Sequence, residues 1–336
     1  MNKIIVVLLC ISIAISSCNL PIREGIYIKL HGFTQGTTYN ITYQVPDTIN
    51  YQPAIDSILK DLDLSLSSYI PNSIISRINS NDPEVTTDEH FEYVFRKSEE
   101  VYKASDGYFD ITVMPLVNAW GFGPGHKEII DSMLIDSLLQ FVGMEKVKLS
   151  GHKVIKSHPG IQLDVNAIAQ GYSVDIVAKF LESEGITNYL VEIGGEVKAR
   201  GKNPKNLAWR IGIDRPEFGN VIPGEQLQAV LELEDRSMAT SGNYRKYYEE
   251  NGIKYTHSIN PKTGYPSNQS LLSATVIADD CITADAYATV CMVSGLEKSK
   301  EIFKTHSELQ GYLIYGDDMG WFQVFYTPGV EKIIIE

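Results

Sequence analysis

The sequence feature that most constrains the fold is the apolar stretch at residues 281–295, CITADAYATVCMVSG, in which Asp285 is the only charged residue. The spacing of its apolar positions predicts a helix over residues 283–293. A carboxylate in such surroundings is costly unless it is paired or bound to a cation, and no basic residue lies within the stretch. The fold must therefore supply a partner for this carboxylate.

Two explanations of Asp285 follow from the sequence. If Thr283 caps the helix, Asp285 lies in the first turn, where its negative charge interacts favourably with the helix dipole. Alternatively, Asp285 and Thr289 act together, because residues four apart lie on one face of a helix, about 40° from each other. A carboxylate and a hydroxyl are both oxygen donors, and such a pair suits a hard cation such as Mg²⁺.

The composition limits the class of protein and of partner. The chain has 336 residues, of which 43% are hydrophobic and 21% are charged, a balance typical of a folded globular protein with a substantial core. Its formal net charge of −13 argues against nucleic-acid binding, which requires a basic surface. Nucleic acid is therefore not an expected partner.

The N-terminal residues have the features of a secretion signal. Lys3 precedes an apolar run at residues 4–15, which is too short to span a bilayer as a permanent helix and fits a signal peptide. The following residues, ISSC, resemble the bacterial lipobox, which implies cleavage before Cys18 and lipidation of its thiol; a generic signal peptide with a chance cysteine is the alternative. We expect a lipoprotein signal peptide over residues 1–17 and a tether over residues 18–24. The expected location is the periplasmic side of a bacterial membrane, with the inner membrane preferred.

Two cysteines remain beyond this segment, Cys281 and Cys291. If both lie on one helix, ten residues apart, about 15 Å separates them along its axis. That distance is too long for a disulfide, and their spacing does not resemble a zinc or iron–sulfur site. We expect both to be core residues.

Short strands joined by turns dominate the predicted organisation. Periodic apolar positions predict helices at residues 53–67, 88–104, 167–184, 283–293 and 296–306. Alternating or short apolar runs predict strands at residues 39–43, 189–193, 209–213, 227–233, 253–259, 271–277, 311–315 and 332–335. Because neighbouring strands are joined by turns more often than by helices, the predicted class is α+β, with largely antiparallel mixed sheets and flanking helices.

Two segments fit neither pattern. Residues 67–79, SSYIPNSIISRIN, contain Pro71 and Asn72 as turn residues and are predicted to form a structured loop. Residues 107–125, GYFDITVMPLVNAWGFGPG, are rich in glycine, proline and aromatic residues. We predict that they form a loop shaped for a ligand or for packing.

A further candidate site is the start of the helix within residues 163–175, LDVNAIAQGYSVD. Asp164 or Asn166 can cap this helix, and the small residues Ala167, Ala169 and Gly171 let another group approach the backbone closely. Exposed amides at a helix start suit a phosphate. The alternative is an ordinary capped helix without a ligand.

A histidine in residues 256–266, THSINPKTGYP, is the remaining candidate for chemistry. His257 is predicted to lie on a strand that ends in a Pro-Lys-Thr-Gly turn. A histidine titrates near neutral pH and can act as an acid or a base. A lone histidine with a structural role is the alternative.

Together these stretches resemble the ApbE family, the FAD:protein FMN transferases. The resemblance extends from about residue 30 to the C-terminus and rests on eight motifs in a fixed order. They are GTTYNITY, SYIPNSIISRIN, GYFDITVMPLVNAWGFGP, DVNAIAQGYSVD, EIGGE, ATSGNYRKYY, HSINPKTGYP and TADAYAT. The resemblance implies that residues 25–336 form one ApbE-like flavin transferase domain.

The resemblance also implies a reaction. Family members bind FAD with Mg²⁺ and transfer the FMN moiety to a threonine or serine hydroxyl of a partner protein, releasing AMP. The expected partners are extracytoplasmic flavin-acceptor subunits of redox membrane complexes. Two alternatives stay open: an FAD pyrophosphatase, in which water replaces the acceptor hydroxyl, and a lipoprotein that binds FAD without chemistry.

Motif by motif, the resemblance assigns roles to residues of this chain. The implied metal ligands are the Ala167 carbonyl and the side chains of Asp285 and Thr289, and His257 is the implied base. The implied FAD site comprises Gln35, Tyr69, Tyr108, Phe109, Asp110, Asp164, Gln170 and the backbone of Ile259. Tyr69 is suited to stack on an aromatic ring.

Two residues depart from the family pattern. The chain has Gln35-Gly36-Thr37 where the family motif usually begins Met-Gly-Thr, and it has Gln170 where many members have lysine. The second change removes a positive charge that could face a phosphate, which would weaken FAD binding or leave more of the work to the metal. Because glutamine still donates a hydrogen bond, we expect the activity to be retained.

Overall fold

The computed structural model describes residues 25–217, 224–243, 247–250, 253–267, 270–317, 319 and 321–335. The predicted signal peptide at residues 1–17, Cys18 and the tether at residues 18–24 lie outside the described residues, so these assignments stay predictions. Within the described part, no helix combines the length and the apolar character needed to cross a bilayer.

The described chain alternates strands and helices. The strands are β1 (Ile26–Thr34), β2 (Thr37–Val45), β3 (Val147–Ser150), β4 (Lys153–Lys156), β5 (Tyr189–Ile193), β6 (Glu196–Arg200), β7 (Trp209–Asp214), β8 (Leu227–Leu233), β9 (Ser237–Gly242), β10 (Tyr247–Glu250), β11 (Ile253–Thr256), β12 (Leu271–Ala278), β13 (Gln310–Gly316) and β14 (Phe322–Tyr326). The helices are α1 (Gln52–Leu66), α2 (Ile74–Asn79), α3 (Glu89–Ala104), α4 (Met114–Ala119), α5 (Ser132–Leu139), α6 (Asn166–Ser183), α7 (Cys281–Ser294), α8 (Leu296–Thr305) and α9 (Pro328–Glu331).

An eight-stranded antiparallel sheet forms the centre of the fold, in the order β1-β2-β5-β6-β9-β12-β13-β14. Around β12 both faces of the sheet are buried, and alternate residues of this strand point to opposite sides. On β12, Val276 belongs to the main core with α1, α3, α6 and α7, whereas Ile277 belongs to a second core with β7, β8 and α9. The predicted α+β class with largely antiparallel pairing is confirmed.

Helix α7 is the buried helix of the main core, and eleven of its residues are buried. Cys281 and Cys291 lie on it, buried and without a disulfide, as predicted. Its cap differs from the prediction: Asp280, not Thr283, is the N-cap, and its side chain accepts the Thr283 N–H at 2.9 Å. Asp285 therefore lies in the second turn, which removes the first-turn explanation of its charge.

Several boundaries also differ from the predictions. The predicted loops at residues 67–79 and 107–125 contain the short helices α2 and α4. The predicted strand at residues 332–335 is wrong: α9 ends at Glu331, and Ile334 forms only an isolated bridge with Leu231. The predicted strand at residues 253–259 ends at Thr256, and the strands β1, β3, β4, β6, β9, β10 and β14 were not predicted.

Candidate active site

The centre of the candidate site is the contact between α6 and α7. Gly171 permits it, because a Cβ atom there would collide with the Cys281 carbonyl oxygen and would lie 2.7 Å from the Asp285 Cβ. The close approach that the small residues of α6 predicted is therefore made by α7. It brings the backbone of one helix against a side chain of the other.

The Asp285 carboxylate accepts a hydrogen bond at this contact between the helices. Its side chain is 5% exposed, and its Oδ2 accepts the Gly171 N–H at 2.9 Å. In an α-helix that N–H points at the Ala167 carbonyl, so the carboxylate lies beside the oxygen that the resemblance assigns as a metal ligand. Thr289, one turn further along α7, is half-buried, with its Oγ1 3.5 Å from the Ser241 Oγ.

The electrostatics of Asp285 fit a cation at this position. Burial raises the pKa of Asp285 to about 7. Among the described residues no basic side chain pairs with it, and no cluster of three His, Cys, Asp or Glu side chains could hold a metal. One carboxylate with neutral oxygen donors suits Mg²⁺, which is usually held by one or two carboxylates together with phosphates of the substrate. The residues present therefore fit Mg²⁺.

The start of α6 connects the contact between α6 and α7 to the 107–125 segment. The Asp164 Oδ1 accepts the Asn166 N–H at 2.8 Å, so Asp164 occupies the first amide of the helix. Its own N–H donates to the Ile111 carbonyl at 2.7 Å, which ties α6 to the 107–125 segment. Burial raises the pKa of Asp164, and burial together with the Asp164 charge raises the pKa of Tyr69. Tyr69 therefore lies close to Asp164.

Tyr69 and His257 both lie next to Phe122. The Tyr69 side chain is 59% exposed, which leaves its ring available for stacking, and its hydroxyl is 3.5 Å from the Phe122 carbonyl oxygen. The Phe122 ring meets the His257 ring edge to face, with centroids 6.4 Å apart. His257 follows β11 directly and is half-buried. The structure thus brings the predicted stacking residue and the predicted base to one side of the site.

The three residues of the GYFD motif have different surroundings. Tyr108 is half-buried, and the Lys262 ammonium lies 4.2 Å from the centre of its ring. Phe109 is buried in the main core. The Asp110 carboxylate accepts the Thr112 N–H and hydroxyl at 2.8 and 2.6 Å and the Met144 N–H at 3.1 Å. Of these three side chains, only that of Tyr108 is not buried.

Gln35 and Gln170 are the two departures from the family pattern; Gln35 contacts α6, and Gln170 is a residue of α6. Gln35 is at the tip of the β1–β2 hairpin with φ +50°, and its Nε2 donates to the Ser173 Oγ at 2.8 Å. Within the described residues its buried Oε1 has no donor. A Cβ on Gly194 would lie 2.8 Å from the Gln170 Nε2 and 2.9 Å from Thr37, so the β1–β2 and β5–β6 turns meet at this point.

Ile259 marks the other end of the site. It is buried beneath α4 and forms an isolated bridge with Pro266. The turn between them is fixed by the Trp120 Nε1, which donates to the Gly264 carbonyl at 2.8 Å. The backbone of this segment is therefore held against the 107–125 segment.

Comparison with known proteins identifies the family of the chain. The sequence model of the ApbE family matches residues 35–313. The chain belongs to the ApbE family. The FAD:protein FMN transferases of Vibrio cholerae serotype O1 and Haemophilus influenzae are each 36% identical to it, over 299 and 339 residues. These alignments cover 86% and 96% of this chain and 86% and 95% of the relatives. The solved structure of the flavin transferase ApbE from Vibrio cholerae superimposes with a TM-score of 0.83 and 32% identity, over 92% of this chain and 99% of that one.

The predictions of ApbE family membership and of an enzyme are thereby confirmed. Sequence reasoning did not single out two residues of this ApbE site, Ser241 and Phe122. Ser241 lies in the ATSGNYRKYY motif and Phe122 in the 107–125 segment, so the signal for each was only its motif. Neither motif shows which residue lies beside Thr289 or which residue contacts both Tyr69 and His257.

Proposed function

We propose that this ApbE protein transfers the FMN moiety of FAD to a threonine or serine hydroxyl of a target protein, in a reaction that requires Mg²⁺ and releases AMP. The relatives named FAD:protein FMN transferase support the flavin transfer. The observation that carries the metal requirement is the buried Asp285 carboxylate, which has a single amide donor, lies beside the Ala167 carbonyl and shares a helix face with Thr289.

The residues of the chain have separate tasks in this proposal. Asp285, Thr289 and the Ala167 carbonyl would hold the metal. When bound, Mg²⁺ neutralises the negative charge of the pyrophosphate and of the transition state. Tyr69 would stack on a ring of FAD.

The reaction exchanges one phosphorus–oxygen bond for another. The acceptor hydroxyl oxygen bonds to the FMN-side phosphorus, and the bond from that phosphorus to the oxygen shared with AMP breaks. An imidazole nitrogen of His257 takes the hydroxyl proton, and AMP leaves with the bridging oxygen. The Phe122 ring limits the positions that the His257 ring can adopt.

The alternatives differ in what happens to FAD. An FAD pyrophosphatase would convert FAD into FMN and AMP without modifying a protein, and a carrier would leave FAD intact. The buried carboxylate and the nearby histidine argue against a carrier, because storage of FAD requires neither group. We infer that transfer is the main activity.

Chromatography of the reaction products tests this proposal. The full chain in mild detergent would be incubated with FAD and Mg²⁺, with and without an acceptor domain that contains a candidate threonine. We expect AMP to appear only with the acceptor, in an amount equal to the flavin that becomes bound to protein. Equal amounts of free FMN and AMP without the acceptor would establish the pyrophosphatase instead, and unchanged FAD would establish the carrier.

We also propose that the enzyme is a lipoprotein on the periplasmic face of the inner membrane, anchored through Cys18 after removal of residues 1–17. This location would place the site beside extracytoplasmic subunits of redox membrane complexes, the proposed acceptors. Growth with a radioactive fatty acid tests the anchor. We expect the wild-type chain to be labelled and the Cys18→Ser variant to remain unlabelled and uncleaved; equal labelling of both would contradict the proposal.

A further inference from the structure

Helices α6 and α7 are joined at a second point, one helical turn from the contact between Gly171 and Asp285. There the Asp175 carboxylate, on α6, accepts the Cys281 N–H at 3.0 Å and the Ile282 N–H at 2.9 Å. At each point a carboxylate of one helix accepts a backbone N–H of the other. The two points are four residues apart on both helices, so together they fix the axial position of α7 against α6.

The environment of Asp175 makes this contact specific. Its side chain is 16% exposed and forms an ion pair with Lys198 of β6, with a distance of 3.0 Å between the Lys198 Nζ and the Asp175 Oδ1. The first N–H groups of a helix have no partner within the helix, and they favour a negative charge. Asp175 therefore satisfies two such groups of α7, and Lys198 holds the carboxylate in place.

Asp280, the N-cap of α7, cannot replace this function. Its side chain accepts the Thr283 N–H, which belongs to the same chain segment. That bond stabilises the helix itself but does not relate α7 to α6. Asp175 is on the neighbouring helix, so its bonds resist a shift of α7 along α6. Such a shift would change the distance between Asp285 and the Ala167 carbonyl.

We propose that Asp175 is a positioning residue for the metal corner: by holding the start of α7 against α6, it sets the separation of Asp285 and Thr289 from the Ala167 carbonyl. The proposal deepens the proposed function and rests on it, because it concerns the metal ligands named there. Residues that orient the ligands of a metal affect its binding without touching it, and their loss typically weakens affinity about 10–100-fold.

The chain offers a matched control for this residue. Glu182 is also on α6 and also pairs with β6, with its Oε1 2.7 Å from the Arg200 Nη1. It lies two turns further along α6 than Asp175, and its contacts, with Arg200 and the Tyr189 hydroxyl, are away from α7. Removing its charge therefore removes an α6–β6 ion pair and leaves the start of α7 unchanged.

Calorimetric titration with Mn²⁺, in the absence of FAD, tests the proposal on the full chain in mild detergent. The variants are Asp175→Asn, Glu182→Gln and Asp285→Ala, each with its melting temperature measured without metal. An asparagine at position 175 has one acceptor for two N–H groups and brings a donor against them. We expect Asp175→Asn to raise the Kd for Mn²⁺ about 10–100-fold, and Glu182→Gln to lower the melting temperature with an unchanged Kd.

The outcomes separate the positioning role of Asp175 from the assignment of Asp285 as a metal ligand. A folded Asp175→Asn variant that binds Mn²⁺ as tightly as wild type overturns the positioning role, provided that Asp285→Ala abolishes binding. If Asp285→Ala binds as wild type does, the metal assignment in the proposed function fails instead. If Asp175→Asn does not fold, Asp175→Glu replaces it, because it keeps the charge and displaces the carboxylate by one methylene. Weaker binding by that variant supports the proposal, and wild-type binding overturns it.

Discussion

Asp285 and Tyr69 are assigned to the same proposed site, but their surroundings differ in almost every respect. Asp285 is 5% exposed on a buried helix of 14 residues, packed against a second long helix. Tyr69 is 59% exposed, in the short connection between α1 and α2. The metal corner is therefore positioned by the packing of regular helices, whereas the proposed FAD side is built from loops.

The loops of the proposed FAD side are attached to the rest of the fold by a few side-chain hydrogen bonds. The Trp120 Nε1 holds the 259–266 turn, and the Asn79 side chain exchanges hydrogen bonds with the Leu163 backbone at 2.7 and 2.8 Å. Loops attached in this way open more readily than packed helices do. We therefore expect substitutions at the proposed metal ligands to cause the largest losses of activity. Substitutions in the loops should lower the FAD affinity or the rate by smaller factors.

The largest effect should come from Asp285→Ala. Metal charge contributes several kcal/mol to a transition state of this kind, so its loss should lower Mg²⁺-dependent turnover roughly 10³-fold. The fold should persist, because the change removes a buried charge. Asp280→Ala is the control: it removes the N-cap of the same helix, at a cost of about 1 kcal/mol, and should keep most of the activity. Full turnover in Asp285→Ala would rule out the metal assignment.

The next effect should come from His257→Ala. Loss of a general base slows a reaction about 10²–10⁴-fold, so transfer should slow by that factor while the affinity for FAD stays within about twofold. Time-course assays of flavin transfer measure the transfer rate, and titration of FAD fluorescence measures the affinity for FAD. His158, which stacks on Phe141, gives the control variant His158→Ala. An unchanged transfer rate in His257→Ala would remove this residue from the mechanism.

Gly171→Ala should have an intermediate effect, because the added methyl group would collide with the Cys281 carbonyl and separate α6 from α7. Overpacking of this kind costs about 1–3 kcal/mol, and the displaced Asp285 should bind Mn²⁺ more weakly. Urea unfolding and Mn²⁺ titration would measure the two effects. Gly316→Ala is the control, since nothing lies within 4 Å of its added Cβ. Equal behaviour of the two variants would show that the helix contact does not define the corner.

A smaller effect is expected from Tyr69→Ala. Stacking on a base is worth about 1–3 kcal/mol, so the Kd for FAD should rise about tenfold, with little change in stability because the residue is exposed. Tyr69→Phe should behave as wild type, because it keeps the ring and the hydroxyl is 3.5 Å from its nearest acceptor. A loss of affinity as large in Tyr69→Phe as in Tyr69→Ala would assign the effect to the hydroxyl rather than to stacking.

The smallest effect should be the pH dependence of stability that comes from Asp110, whose carboxylate accepts hydrogen bonds from Thr112 and Met144. Burial raises the pKa of Asp110 in the folded chain, so its protonated form favours folding. The stability that it contributes is complete below the unfolded pKa of about 3.9 and is lost as pH rises through the folded pKa. The difference in free energy of unfolding between wild type and Asp110→Asn should therefore shrink as pH rises from 4. A difference independent of pH would contradict this.

The sequence predicted the fold where a segment has one clear period. The helices at α1, α3, α6, α7 and α8 and the strands β5, β8, β12 and β13 were predicted within a few residues. β6, with the sequence EVKAR, was missed because it is only five residues long and has only two apolar residues, Val197 and Ala199, which are buried in the second core. The strand predicted at residues 332–335 failed because an apolar run does not show whether a partner strand is available.

The site was predictable in composition but not in geometry. The isolated charge at Asp285 indicated a buried partner, yet no local pattern relates residue 285 to residue 171, and Ala167 entered only through the resemblance to the ApbE family. The N-cap was misplaced by three residues because Asp280, Thr283 and Asp285 are all suitable near a helix start. Similarly, Asp110 shows in sequence only that a carboxylate is present, not that three donors occupy it.

Intact-mass measurement of an acceptor domain, after incubation with the full chain, FAD and Mg²⁺, is the most direct test of metal-dependent transfer. We predict that the acceptor gains the mass of one FMN group, that EDTA prevents the gain, and that Asp285→Ala does not produce it. An acceptor that gains FMN equally well with EDTA, or with the Asp285→Ala variant, would contradict the account.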